Sequence, residues 1–224
     1  GAIDAPGLFE QFFGGLFLVK GIPLTLQILF LLTVGAGIAV AAMGEARKDE
    51  RLTKSARGLF YFSFFLGFWL LVQPWDEVLV NLRHSYHLSE FNIYSFNRME
   101  RLEGTVDFLP NVFIGLLGKL GLPLLELAVL QSLLGGFLCV WAGENILSFW
   151  MKRRSSIVTA ALVLFPPLCI NASHGFTSAL FAATILWSIY FLFCKQNILG
   201  WVLLSVLPCI RPARAFWVAL VWLA

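Results

Sequence analysis

Residues 28 to 42 read ILFLLTVGAGIAVAA, with no charge and no alternation of apolar and polar positions. A barrel strand alternates because its two faces meet lipid and lumen, whereas a run that is apolar on every side belongs to a helix immersed in hydrocarbon. The rest of the chain extends that reading. Hydrophobic residues make up 59% and charged residues 13%, and the mean hydropathy is +0.82, far from the soluble average. Apolar stretches matched to a hydrocarbon core of about 30 Å recur, each followed by a short polar segment. The expected class is an all-α, polytopic transmembrane bundle of about six spans, with an extracytoplasmic loop carrying interfacial helices.

Charge sets the sidedness. A first span, near Ile22 to Met43, runs into GEARKDERLTKSAR with Arg47, Lys48, Arg51, Lys54 and Arg57, which is the mark of a cytoplasmic loop. A second span, near Leu59 to Trp75, then leads outward. The polar stretch from Asp76 to Asp107 carries six acids (Asp76, Glu77, Glu90, Glu100, Glu103, Asp107) against three arginines (Arg83, Arg98, Arg101), the reverse of the loop before it. FLPNVFIGLLGK reads as an interfacial helix, and a third span from Leu120 to Trp150 returns to Lys152, Arg153 and Arg154. The fourth, Ile157 to Ile170, holds Pro166 and Pro167 and is expected to break at its outer end before NASHG. The fifth runs from Ala179 to Cys194, and the sixth leads from Ile198 to Arg211.

The same alternation puts the N-terminus outside the cytoplasm, where LFEQFFGGLFLVKG reads as an interfacial stretch without the basic start of a signal peptide. AFWVALVWLA opens another apolar run too short to cross, so the sequence is expected to be part of a longer protein.

Several functions are set aside at this level. The basic residues sit in short loops between apolar runs, as sidedness requires, so nucleic acid is not an expected partner. Cys139, Cys169, Cys194 and Cys209 lie inside apolar runs without CxxC spacing and read as small buried hydrophobes. His84 and His87 stand one helical turn apart, a spacing open to a metal, but histidines of an interfacial helix more often face headgroups, and no metal is expected. The eight tryptophans and 22 phenylalanines fit aromatic belts, and no cofactor is expected. Glu126 reads as reaching the outer interface rather than as part of a proton path, and Glu144 as reaching the opposite one. A transporter has little else in its favour, since no internal repeat is visible.

The chemistry concentrates after Trp75. Asp76, Glu77, Arg83, Arg98, Glu100, Arg101 and Glu103 fall within 28 positions beside apolar spans. Asp and Glu are also preferred at a helix start, where they satisfy free amides and the dipole, so the acid pair has a structural reading too. Val78, Leu82 and Tyr86 are expected on one face of the helix that follows. Mixed charge at a membrane surface suits an anionic, lipid-linked substrate. A carboxylate can take a proton from a hydroxyl while arginines hold a phosphate through charge-assisted hydrogen bonds, a combination that serves glycosyl transfer.

Four segments, in order, resemble the GT-C superfamily of polytopic glycosyltransferases, especially its arabinofuranosyltransferase-like branch. WDEVLVNLRHSYHL is similar to that branch's paired-acid motif and Arg-containing helix, with Asp76 and Glu77 at the acids. SFNRMERLEGTVDFL carries FN, ER and EG elements at Phe96, Asn97, Glu100, Arg101, Glu103 and Gly104. GFTSALF, from Gly175 to Phe181, resembles a third element but has Thr177 where an acid stands in the family. CIRPARAF keeps Arg211 and Pro212 of a fourth, with Ala213 and Arg214 departing from it.

The resemblance implies a module of residues 58–224, truncated relative to such enzymes, preceded by an additional interfacial stretch, span and basic loop in residues 1–57. It implies an integral protein of the bacterial inner (plasma) membrane and cell envelope, acting with membrane lipids and a polyprenyl-phosphate sugar donor. Asp76 and Glu77 become the catalytic candidates, and Arg83, Arg98, Glu100, Arg101, Glu103 and Arg211 the substrate-binding ones. The departures leave a second reading open, in which the chain is a catalytically silent subunit of a larger membrane complex.

Overall fold

A computed structural model describes residues 24–71, 76–95, 107–152, 155–175 and 177–211; within its helices the side chains of residues 24, 69–71, 76 and 77 lie outside the description. All regular structure among these residues is helical: α1 (Leu24–Arg47), α2 (Glu50–Leu71), α3 (Asp76–Phe91), α4 (Phe108–Gly118), α5 (Leu124–Met151), α6 (Ser156–Val163), α7 (Pro166–Ser173), α8 (Ser178–Ile189), a π-helical turn (Tyr190–Cys194) and α9 (Leu199–Ile210). Two compact units form, one from residues 1–72 and 153–170, the other from residues 73–152 and 171–224.

Of the expected spans, α1 and α5 are long and apolar enough to cross a membrane, and α6 with α7 forms a third if the bent pair counts as one. At 24 and 28 residues, with a rise of about 1.5 Å per residue, α1 and α5 exceed a hydrocarbon core of about 30 Å. The apolar helices α4, α8 with its π-helical turn, and α9 are shorter. The break in the fourth span comes earlier than expected. The helices bend by 55° between Val163 and Pro166, and NAS belongs to α7 rather than to a loop. Proline needs no amide partner in a first turn, so Pro166 starts a helix here instead of ending one.

In the first unit α1 and α2 are antiparallel, because Phe30 meets Gly67, Thr33 meets Ser63, Phe60 meets Gly37 and Thr53 meets Gly44. A β-carbon on Gly37 would stand 2.8 Å from the Phe60 ring, and one on Gly67 2.9 Å from the Phe30 ring. Each glycine is therefore a notch that receives the partner helix's aromatic knob. Between them the Ser63 hydroxyl donates to Thr33 Oγ1 at 3.2 Å. The turn closes with Lys48 in the left-handed region at φ 53°, and Asp49 Oδ1 accepts from the Arg51 amide at 2.8 Å, an N-terminal cap for α2. Away from α2, α1 exposes Ile28, Leu29, Leu31, Leu32 and Ile38. Water would penalise such a surface; lipid does not.

The second unit uses small residues differently. Ser132, Gly135, Gly136, Cys139, Ala142 and Gly143 form a buried stripe along α5. A β-carbon on Gly135 would stand 2.8 Å from the Ala179 carbonyl carbon, so the α8 backbone lies directly on the stripe. Cys139 Sγ donates to the Ala179 carbonyl at 3.2 Å. Glu144 is buried on α5, whereas Glu126 is exposed in the helix's first turn. Cys139 is buried as expected, but Cys169 and Cys194 are half-buried and Cys209 is exposed, because their helices turn those faces outward.

Helices α3 and α4 run parallel: Asn81 pairs with Asp107, Ser85 with Asn111, and Ser89 faces Gly118. Val78, Leu82, Ile114 and Ala128 form the apolar core beneath them. Tyr86 does not share the face of Val78 and Leu82 but is exposed. Eight residues advance a helix about 80° beyond two full turns, enough to carry Tyr86 off the buried side.

Candidate functional site

Four segments of the second unit meet at a buried polar cluster. Arg211, just after α9, is held there by Leu204, Leu207 and Ile210, which pack α9 against Phe181 of α8. Its Nε donates to Asp107 Oδ1 at 2.7 Å, and its Nη2 donates to Thr177 Oγ1 at 3.3 Å. Asn81 Nδ2, on α3, donates to Asp107 Oδ2 at 3.4 Å. Arg211 is 7% exposed, Thr177 6% and Asp107 2%, so the ion pair is shielded from solvent, where removal of one partner would strand a charge.

Asp107 and Thr177 hold the positions before α4 and α8 where side chains usually cap a helix, yet neither makes a capping hydrogen bond. Their oxygens serve Arg211 instead. Val78, Asn81, Asp107, Asn111, Gln131 and Thr177 border a cavity of about 10 Å³, room for one water at most. Asn111 is 2% exposed, and its Nδ2 has no partner among the described residues. A single water accepting from that amide would satisfy it.

The expected site residues distribute as follows. Asp76 and Glu77 open α3, directly after the 72–75 segment, with their side chains outside the description. Arg98, Glu100, Arg101 and Glu103 lie outside the described residues. Arg83 is exposed on α3, two positions and so about 200° around the helix from Asn81. It does not join Arg211. Asp107, Thr177 and Asn81 belong to the cluster without having been singled out as site residues. Thr177 was visible only as a departure from a family pattern, and Asp107 as one acid among six.

His84 and His87 do not face headgroups. Both are buried, at 1% and 8% exposure, because α3 turns that side against its neighbours. The Ser95 carbonyl can only accept, so His87 Nδ1 donates to it at 3.0 Å. His84 packs near the Tyr94 ring at 5.4 Å. Burial pushes His84 below its ordinary 6.5, helped by the nearby His87 and Arg83 and opposed by a hydrogen bond with the Val80 backbone. Among the described residues no group of three or more His, Cys, Asp or Glu could hold a metal ion.

The described residues thus form an all-helical fold with two helices, or three if the bent pair counts as one, long and apolar enough to span a membrane. No protein-family model, curated protein or solved structure matches the chain.

Proposed function

We propose that this chain is a GT-C-like glycosyltransferase module of the bacterial inner membrane. It transfers a sugar from a polyprenyl-phosphate donor to an acceptor hydroxyl on the extracytoplasmic face. One observation carries the reading: Asn81, Asp107, Thr177 and Arg211, one side chain from each of the four segments that resemble the superfamily, meet in a single cluster. Unrelated stretches of an apolar chain have no reason to supply one polar partner each to the same buried point.

In this mechanism Asp76 takes the proton from the acceptor hydroxyl. The oxygen attacks the anomeric carbon with inversion, and the bond to the polyprenyl phosphate breaks with its electron pair on the phosphate. Glu77 supports the base. Arg83, Arg98 and Arg101 stabilise the charge that develops on the leaving oxygen, while Glu100 and Glu103 orient them and the sugar hydroxyls. Arg211 is engaged by Asp107 beside a cavity no larger than a water. A phosphate reaching it would displace that carboxylate, and otherwise Arg211 holds the four segments in register.

The same closed ion pair favours the second reading, a catalytically silent subunit of a larger membrane complex. Transfer from a polyprenyl-phosphate sugar, assayed in membranes with and without Asp76→Asn, separates the two. The enzyme reading expects a loss of about 10²- to 10⁴-fold at unchanged protein abundance. Equal activity removes Asp76 from the mechanism, and no transfer by the parent chain favours the silent subunit.

A further inference from the structure

The turn between α1 and α2 frames a cavity of about 610 Å³, bordered by Gly44, Thr53 and five charged residues. Its lining carries Lys48, Lys54 and Arg57 against Glu45 and Glu50, three cations to two carboxylates, for a net charge of +1. Glu45 accepts the Ser155 hydroxyl at 3.0 Å. Glu50 pairs with Lys54 at 3.0 Å, but both side chains are largely exposed, at 81% and 67%, and such pairs exchange readily for a better anion.

The position of the cavity specifies its ligand further. α1 is apolar as far as Met43, and its charges begin at Glu45. When α1 crosses a bilayer, the cavity therefore lies at headgroup depth. Before it, Ile38 and Leu31 are exposed on α1, at 52% and 50%, seven and fourteen residues ahead of Glu45 and so on the same side of the helix, an apolar strip leading to a cationic recess. That pairing matches an amphiphile with hydrocarbon chains and one negative charge.

We infer that this turn is a binding site for an anionic phospholipid. Lys48, Lys54 and Arg57 hold the phosphodiester through charge-assisted hydrogen bonds. Glu45 and Glu50 accept from headgroup hydroxyls, and the acyl chains lie along α1 past Ile38 and Leu31. The phosphodiester's single negative charge cancels the lining's net +1. Nothing in this inference depends on glycosyl transfer.

Native mass spectrometry of the purified chain with phosphatidylglycerol or phosphatidylcholine tests it. Lys48→Gln with Lys54→Gln is compared with Arg47→Gln and Arg51→Gln, which remove the same charge from the same turn outside the cavity lining. Phosphatidylglycerol is expected to bind in preference to phosphatidylcholine. The lining pair should weaken phosphatidylglycerol binding roughly tenfold more than the control pair. Equal losses would mean diffuse attraction to a basic loop and overturn the site, as would equal binding of the two lipids. Inorganic phosphate at the lipid's concentration should leave the lipid bound; displacement would make this a free-anion site instead.

Discussion

The α1–α2 hairpin and the Arg211 cluster solve the same problem, holding helices of an apolar chain together, by opposite means. The hairpin relies on shape: two rings seated in two glycine notches, with one hydroxyl pair between them. The cluster relies on charge: a shielded ion pair with two neutral partners. Shape tolerates changes of polarity but not of volume. Charge tolerates changes of volume but not the loss of a partner. The two units should therefore fail under different perturbations.

The largest effect is expected from Arg211→Met, which strands Asp107. Thermal unfolding in detergent should show a loss of about 3–5 kcal/mol, and adding Asp107→Leu should recover most of it. A single variant as stable as the parent would show that the pair contributes nothing to the second unit. Gly37→Leu attacks the other device by driving a side chain into the Phe60 ring. It should cost about 1–3 kcal/mol, and Phe60→Ala in the same chain should return part of that. If Phe60→Ala brings no relief, the notch is not what joins the helices.

A pH titration sharpens the contrast, because His84 is a buried ionisable group of α3, outside the membrane-spanning helices. Its folded pKa lies below the ordinary 6.5, so on acidification the unfolded chain takes up a proton before the folded one. Stability is therefore full above 6.5 and declines as the pH drops below it. His84→Phe should flatten that decline, and an unchanged slope would assign it to other groups. The smallest effect belongs to Ser63→Ala, which removes the hairpin's interhelical hydroxyl bond and should cost about 0.6 kcal/mol.

Much of this architecture was legible in residue order. The helical class followed from residues 28 to 42, and α1 and α5 lie where hydropathy placed spans. The position of α4 followed from FLPNVFIGLLGK. What failed were readings of direction. Tyr86, His84 and His87 were assigned to faces from local pattern alone. Which face of α3, polar and apolar residues being mixed around it, turns inward depends on neighbours far away in sequence.

The site divides along the same line. Arg211 stood out in the sequence through its motif, whereas Asp107 was one of six acids in a loop. Its role required Asn81, Thr177 and Arg211 to arrive from three other elements. Thr177 is instructive: a neutral acceptor stands where the family pattern has an acid, and in the structure it accepts from an arginine already balanced by Asp107. A second carboxylate there would leave the cluster with a net negative charge in a shielded place.

From its sequence alone, this protein's solvent, helical class and polar loop of acids and arginines were determined, because transfer free energy and helix period are local properties summed along the chain. Only the tertiary structure decided which glycines are notches, which histidines are buried and which acid meets Arg211. Those choices depend on complementary shape and charge between segments that the chain order keeps far apart.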